Sequence, residues 1–119
     1  MDNVEILRGA ANLLEEKGHC KYALHDDLGR HCVLGAINMV ALGRPQAIGV
    51  HGDWNRVRPV KELVMAYLSD GSIFHIGLAE WNNRLDRTGE EVIDVLRTVA
   101  NLHDTEAVEE PAPQLEVCV

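Results

Sequence analysis

An apolar segment from Cys32 to Leu42, in which Asn38 is the only conventionally polar residue, constrains the fold more than any other part of the chain. Apolar side chains occupy every side of this segment, which predicts burial on most of its faces. Its leucines, alanines and methionine favour a helix over a buried strand, and Gly43 supplies the helix end. Gly35 inside the segment predicts that another helix, or another part of the chain, approaches it closely. The remaining elements must therefore pack around a central helix.

Two further helices are marked by their N-terminal sequences. Asp2 and Glu5 have the spacing of a capping box and predict a first helix that ends at Gly18. Thr88 and Glu91 have the same spacing and predict a last helix, which runs to residue 102. Apolar residues recur along both segments at helical spacing, so each helix should bury one face.

The middle of the chain is less regular. Residues 43–58 read as a long connection, and a third helix is predicted to begin at Pro59, because proline suits the first helical turn. Residues 72–81 fit either a short strand or a short helix. These patterns together predict a mainly α, compact four-helix domain over residues 1–102, with room for one or two short strands. Residues 103–119 read as a disordered acidic tail.

Composition and charge restrict the environment and the partners. The chain has 119 residues and a formal net charge of −8, of which the tail contributes five acidic residues and no Lys or Arg. Acidity argues against nucleic acid as a partner, since that binding depends on cationic side chains. No apolar run approaches the ~18–20 residues of a membrane span, and no secretory signal is visible. Three cysteines do not form a disulfide framework, so we expect free thiols in the cytoplasm.

Three landmarks follow one another along the chain: Cys-Val-Leu-Gly-Ala-Ile at residues 32–37, Trp-Asn-Asn at residues 81–83, and Thr88 followed by Glu91-Val92. In this order they resemble an uncharacterised family of small proteins from actinobacteria and their phages, a domain of unknown function. The resemblance covers roughly residues 4–100. The chain departs from the family at Asn83, where the pattern tends to have Asp, and it lacks an aromatic residue after Gly18. The resemblance implies a cytoplasmic or phage-encoded accessory protein and carries no activity.

The segment before the central helix contains a possible metal site. Cys20, His25, His31 and Cys32 are residue types that bind zinc. Structural zinc sites usually pair ligands two to four residues apart, whereas these cysteines each stand next to a histidine. The alternative is that Cys32 packs as a small buried hydrophobe and the histidines face water. We therefore expect no metal and no cofactor, and keep a zinc-stabilised domain as an alternative.

A thiol hydrolase is a second alternative. Cys32 lies near a predicted helix N-terminus, where the helix dipole favours a thiolate. His75 and Asn82 follow it in the order of nucleophile, base and orienting amide known from papain-like enzymes. The competing interpretation is that Asn82 caps a loop and His75 has no special role. We expect the protein not to be an enzyme.

The two tryptophans have different predicted roles. Trp81, before its two asparagines, is expected to be a core residue beneath a loop. Trp54 lies in a connection that also carries Arg56 and Arg58, a composition typical of a binding patch. The leading hypothesis is therefore a non-catalytic, phage-encoded accessory factor that binds a host protein through Trp54, Arg56 and Arg58. A homodimer formed through an apolar helix face is the next possibility.

Overall fold

The computed structural model describes residues 2–47, 52–69 and 77–104, and this part of the chain contains five helices. They are α1 (Asn3–Lys17), α2 (Val33–Leu42), α3 (Asp53–Ser69), α4 (Leu78–Asn82) and α5 (Gly89–Leu102). The mainly α prediction is confirmed, with short α4 as one helix more than expected. None of the described helices is long and apolar enough to cross a membrane. His75, residues 72–76 and the predicted tail from residue 105 lie outside the described residues.

Both predicted capping boxes are present. The Glu5 backbone N–H donates to the Asp2 carboxylate at 2.8 Å, and the Asp2 N–H donates to the Glu5 carboxylate at 2.9 Å. Thr88 and Glu91 make the equivalent pair of bonds at 3.1 and 2.9 Å. These bonds satisfy N–H groups that a helix start leaves without intrahelical partners, and each box contributes about 1 kcal/mol.

Aliphatic side chains from α1, α2, α3 and α5 form most of the core, and Leu78 and Trp81 of α4 add to it. The largest fully buried ones are Leu7, Leu14, Val33, Ile37, Val57, Val60, Val64, Val92, Leu96 and Val99. α2 packs against α1, α3 and α4, and α1 packs against both α2 and α5. The first and last helices of the domain are thus direct neighbours.

α3 begins at Asp53, six residues before the predicted start at Pro59, so that prediction is wrong. Pro59 lies inside the helix, where it lacks the N–H that would bond to the Asn55 carbonyl. Val57 is nevertheless fully buried and extends the stripe of Val60 and Val64 towards the N-terminus. The burial of Val57 is a tertiary contact that favours continuing the helix through the proline.

Residues 18–32, here called the histidine loop, connect α1 to α2 as three short extended segments. The segment of residues 30–32 lies between the other two segments. It runs parallel to residues 18–20, because the His31 N–H donates to the Gly18 carbonyl at 3.1 Å and the Cys20 N–H donates to the His31 carbonyl at 2.9 Å. It runs antiparallel to residues 24–26, through bonds of 3.2 and 3.0 Å. Among the described residues these pairings remain isolated bridges and not full strands.

Gly35 shows the close approach that the sequence predicts. A Cβ atom placed on Gly35 would lie 1.9 Å from the Leu24 carbonyl oxygen, far inside van der Waals contact. The Leu24 carbonyl also accepts the Cys32 backbone N–H. The histidine loop therefore lies directly on the first turn of α2, and only glycine leaves room for it.

Candidate functional site

Asn82, at the end of α4, joins the histidine loop to the start of α2. Its side chain is fully buried. The Asn82 Oδ1 atom accepts the Val33 backbone N–H at 2.9 Å and lies 2.7 Å from His19 Nε2. The Asn82 Nδ2 atom donates to the Cys20 carbonyl at 3.2 Å. One amide thus pairs with the first backbone N–H of α2, with the His19 ring and with the Cys20 carbonyl.

These contacts fix the proton position on His19. The Asn82 amide orientation is set by two backbone partners, since its oxygen faces the Val33 N–H and its nitrogen faces the Cys20 carbonyl. His19 Nε2 must therefore be the donor, and Nδ1 carries the lone pair of the neutral ring. Burial lowers the pKa of His19, while the bond to Asn82 opposes that shift. Burial thus disfavours the charged imidazolium, and the bond to Asn82 anchors one ring nitrogen.

His19 borders a groove of about 520 Å³ between the end of α1 and the start of α5. Its other lining residues are Leu14, Glu15, Gly18, Thr88, Gly89, Glu90 and Ile93. The groove is open and mixes two carboxylates with an apolar floor. This arrangement places an imidazole, two carboxylates and the Thr88 hydroxyl along one groove.

Asn83 holds the turn of the histidine loop. Its Oδ1 atom accepts the Tyr22 N–H at 2.8 Å, and its backbone carbonyl accepts the Tyr22 hydroxyl at 3.2 Å. Tyr22 has a φ of +67°, a left-handed conformation that is unfavourable for a tyrosine. An aspartate at position 83 would offer the same acceptor oxygen to the Tyr22 N–H.

Trp81 is buried, as predicted. The Arg87 guanidinium carbon lies 4.2 Å from the centre of the Trp81 ring, and its Nε donates to the Trp81 carbonyl at 3.1 Å. Arg87 also approaches the Glu91 carboxylate of α5 at 3.6 Å. The Trp-Asn-Asn landmark is therefore structural: Trp81 connects α4 to α5, and the two asparagines support the loop.

Cys20 and Cys32 are both free and buried, with 8% and 6% of their surface exposed. The Cys20 thiol lies 3.5 Å from the carbonyls of Ala23 and Arg30, and burial raises its pKa to about 11. The Cys32 sulfur caps α2 by accepting the Gly35 N–H at 3.4 Å. The burial of Cys32 agrees with its interpretation as a small buried side chain.

His31 is also buried, contrary to the expectation that the histidines face water, and its Nδ1 atom has no hydrogen-bond partner. Its ring centre lies 6.2 Å from that of His25. Burial is the main cause of a lowered pKa for His31; His25 adds to the shift and Asp26 opposes it. Because burial disfavours the charged form of His31, the stability of the histidine loop should depend on pH.

The proposed zinc ligands Cys20, His25, His31 and Cys32 do not form a ligand group. Within residues 2–47, 52–69 and 77–104, no three His, Cys, Asp or Glu side chains are arranged to hold a metal ion. The reason is alternation along extended backbone, where successive side chains point to opposite faces. The register of the bridges places the histidines on one face and the two cysteines on the other.

The proposed hydrolase residues are only partly described, because His75 lies outside the described residues. Asn82 does orient a histidine, but that histidine is His19, which the sequence interpretation missed. The two residues are 63 positions apart, and no spacing pattern connects them. Cys32 uses its sulfur to accept a backbone N–H, so the described contacts give it a structural role.

The predicted binding residues lie on the first turns of α3 rather than in a loop. Trp54 is 49% exposed, and the Lys61 ammonium lies 5.4 Å from the centre of its ring. Arg58 is exposed on the same face. Arg56 instead donates to the Ala41 carbonyl near the end of α2, so it stabilises that helix end. The structure thus brings together Trp54 and Arg58, adds Lys61, and separates Arg56 from them.

The fold and its polar contacts define a small helical domain in which one buried asparagine anchors a loop. The chain belongs to a family of unknown function, DUF6197, whose family model matches residues 1–102. The predicted membership of a domain of unknown function is therefore confirmed. The comparisons found no curated protein and no solved structure that matches the chain.

Proposed function

We propose that this protein is a non-catalytic accessory factor that binds an acidic segment of a partner protein. The binding surface is the Trp54 patch, formed by Trp54, Arg58 and Lys61. These residues stand at positions i, i+4 and i+7 of α3 and therefore share one face of the helix. The half-exposed Trp54 indole on that face is the observation that carries the proposal.

Trp54 has the properties of an interface anchor. Tryptophan is enriched among the few residues that supply most of the binding energy of protein interfaces. Trp54 lies on a helix, and the Lys61 ammonium packs against its ring. Both features restrict the indole before binding and so lower the entropy lost on binding. The adjacent face of α3 is fixed in the core by Val57, Val60 and Val64. A partner would meet a pre-ordered surface.

The charge of the patch indicates the chemistry of the partner. Arg58 and Lys61 are cationic, whereas the chain as a whole carries a net charge of −8. A segment with carboxylates beside an apolar side chain would complement this patch and would avoid repulsion from the rest of the surface. The resemblance to proteins of actinobacteria and their phages makes a cytoplasmic host protein the first class of partner to test.

Affinity capture from an actinobacterial lysate, with the wild type and Trp54→Ala as baits, tests this proposal. We expect at least one partner to be lost, or weakened more than tenfold, with Trp54→Ala. Tyr67→Ala is the matched control, because it removes another exposed aromatic side chain from the same helix. Raising the salt concentration should also weaken the interaction, since Arg58 acts through an exposed charge.

Equal recovery of all partners by the wild type and Trp54→Ala would contradict the proposed surface. Light scattering on the purified protein tests whether the chain forms a homodimer. A dimeric mass that becomes monomeric in Trp54→Ala would assign the patch to self-association instead of a second protein.

A further inference from the structure

The register of the histidine loop places two cysteines side by side. We propose that Cys20 and Cys32 form a redox-active dithiol, which a hydroperoxide converts into an intramolecular disulfide. Neither cysteine is needed by the Trp54 patch, so this inference is independent of the proposed function.

The backbone pairing supports the proximity of the two cysteines. His19 and His31 form a parallel bridge, and Cys20 and Cys32 are the next residue on each segment. Neighbouring strands lie about 4.7–4.9 Å apart, and paired residues point to the same face. A disulfide requires a Cα–Cα separation of about 4.4–6.8 Å. The pairing therefore provides the separation that the bond needs without rearranging the fold.

The preceding pair of residues shows that this register brings side chains into contact. Gly18 and Arg30 stand one position before His19 and His31. A Cβ atom placed on Gly18 would lie 2.9 Å from Arg30 Cγ, so the two positions share a face at contact distance. The same lateral relation applies to Cys20 and Cys32, whose electrostatic interaction also adds to the raised pKa of Cys20.

The surroundings assign different roles to the two thiols. Cys32 lies at the N-terminus of α2, where its sulfur accepts the Gly35 N–H at 3.4 Å. The Cys32 sulfur therefore acts as a hydrogen-bond acceptor. Cys20 is directed towards two carbonyl oxygens, those of Ala23 and Arg30, which stabilise the protonated thiol. Cys32 is therefore the attacking sulfur, and Cys20 resolves the intermediate.

The reaction is a two-electron oxidation. The Cys32 thiolate attacks one oxygen of the hydroperoxide, the O–O bond breaks, and Cys32 becomes a sulfenic acid. The other oxygen leaves as hydroxide or alkoxide and takes up the proton released by Cys32. The Cys20 sulfur then attacks the sulfenic sulfur, the S–S bond forms, and the hydroxyl leaves as water with the Cys20 proton. Two thiols are oxidised and one hydroperoxide is reduced.

The experiment uses the full chain carrying Cys118→Ser, which leaves Cys20 and Cys32 as its cysteines. The folded protein is treated with hydrogen peroxide, denatured with an alkylating agent, digested with trypsin and analysed by mass spectrometry. We expect both thiols to be lost, the mass to fall by about 2 Da for the two hydrogens removed, and peptide 18–21 to be linked to peptide 31–56. Reduction with dithiothreitol should restore both thiols.

Two single variants test the roles. Cys20→Ser should accumulate a sulfenic acid on Cys32, detectable with dimedone, whereas Cys32→Ser should react at least tenfold more slowly with peroxide. Equal rates in both variants would overturn the assigned roles. Failure of the folded Cys118→Ser chain to form the linked peptide, with sulfinic acid or unreacted thiols instead, would overturn the dithiol itself. That measurement does not depend on the stability of either single variant.

Discussion

A single buried amide, that of Asn82, decides how the histidine loop meets the rest of the molecule. It serves a backbone N–H of α2, a backbone carbonyl of the loop and the imidazole of His19. Buried polar groups cost free energy when they lose their partners, because they have already given up their bonds to water. Three different parts of the chain therefore depend on the residue at position 82.

Replacing Asn82 with leucine should lower the free energy of unfolding by about 2–4 kcal/mol, because the Val33 N–H and the Cys20 carbonyl would be left without partners. Urea denaturation of the wild type and the variant measures this difference. Asn55→Leu is the matched control, since Asn55 is exposed on α3 and its replacement should change stability by less than about 0.5 kcal/mol. Equal effects of the two substitutions would show that Asn82 does not hold the loop.

At the scale of the elements, the contact between the histidine loop and α2 depends on the absence of a side chain at Gly35. Gly35→Ala places a methyl group against the backbone carbonyl of Leu24, which cannot rotate away, and should cost at least about 3 kcal/mol. Gly9→Ala is the comparison, because its methyl group would meet only the side chain of Val40 at 2.8 Å. Thermal unfolding should show a far larger loss for Gly35→Ala; similar losses would contradict the rigid contact.

The elements also show what a sequence can and cannot predict here. The starts of α1 and α5 were predictable because each capping box lies within four consecutive residues, as in Asp2 to Glu5. The start of α3 was not, because the burial of Val57 depends on distant residues and outweighs the local signal of Pro59. The pairing of His19 with Asn82 was unpredictable for the same reason. The predicted boundary of the domain at residue 102 stays a prediction.

For the molecule as a whole, buried His31 and half-buried His19 predict that stability depends on pH. Burial lowers the pKa of both His19 and His31 in the folded state. Below an unfolded pKa of about 6.5, the unfolded chain binds protons that the folded chain does not. The stabilisation is therefore complete above that pH and is lost as the pH falls from about 6.5 through the folded pKa values.

Urea unfolding at about pH 7.5, 6.5 and 5.5 should show this decline, in a range where carboxylates contribute little. His31→Gln should make the decline shallower, and His19→Gln with His31→Gln should make it shallower still. A double variant that retains the wild-type slope would place the pH dependence elsewhere. The direction in which stability changes with pH distinguishes these residues from histidines in ion pairs, whose stabilisation is lost as the pH rises.

The reach of Asn82 also has a consequence for the order in which the molecule assembles. Its bonds to His19 and Val33 span 63 and 49 residues of sequence. On the ribosome, the loop between α1 and α2 is made early, but its anchoring amide emerges only after α3 has been synthesised. The loop cannot acquire its final hydrogen bonds until most of the domain is available, so a nascent chain arrested before residue 82 holds Cys20, Cys32 and the histidines without the contacts that bury them.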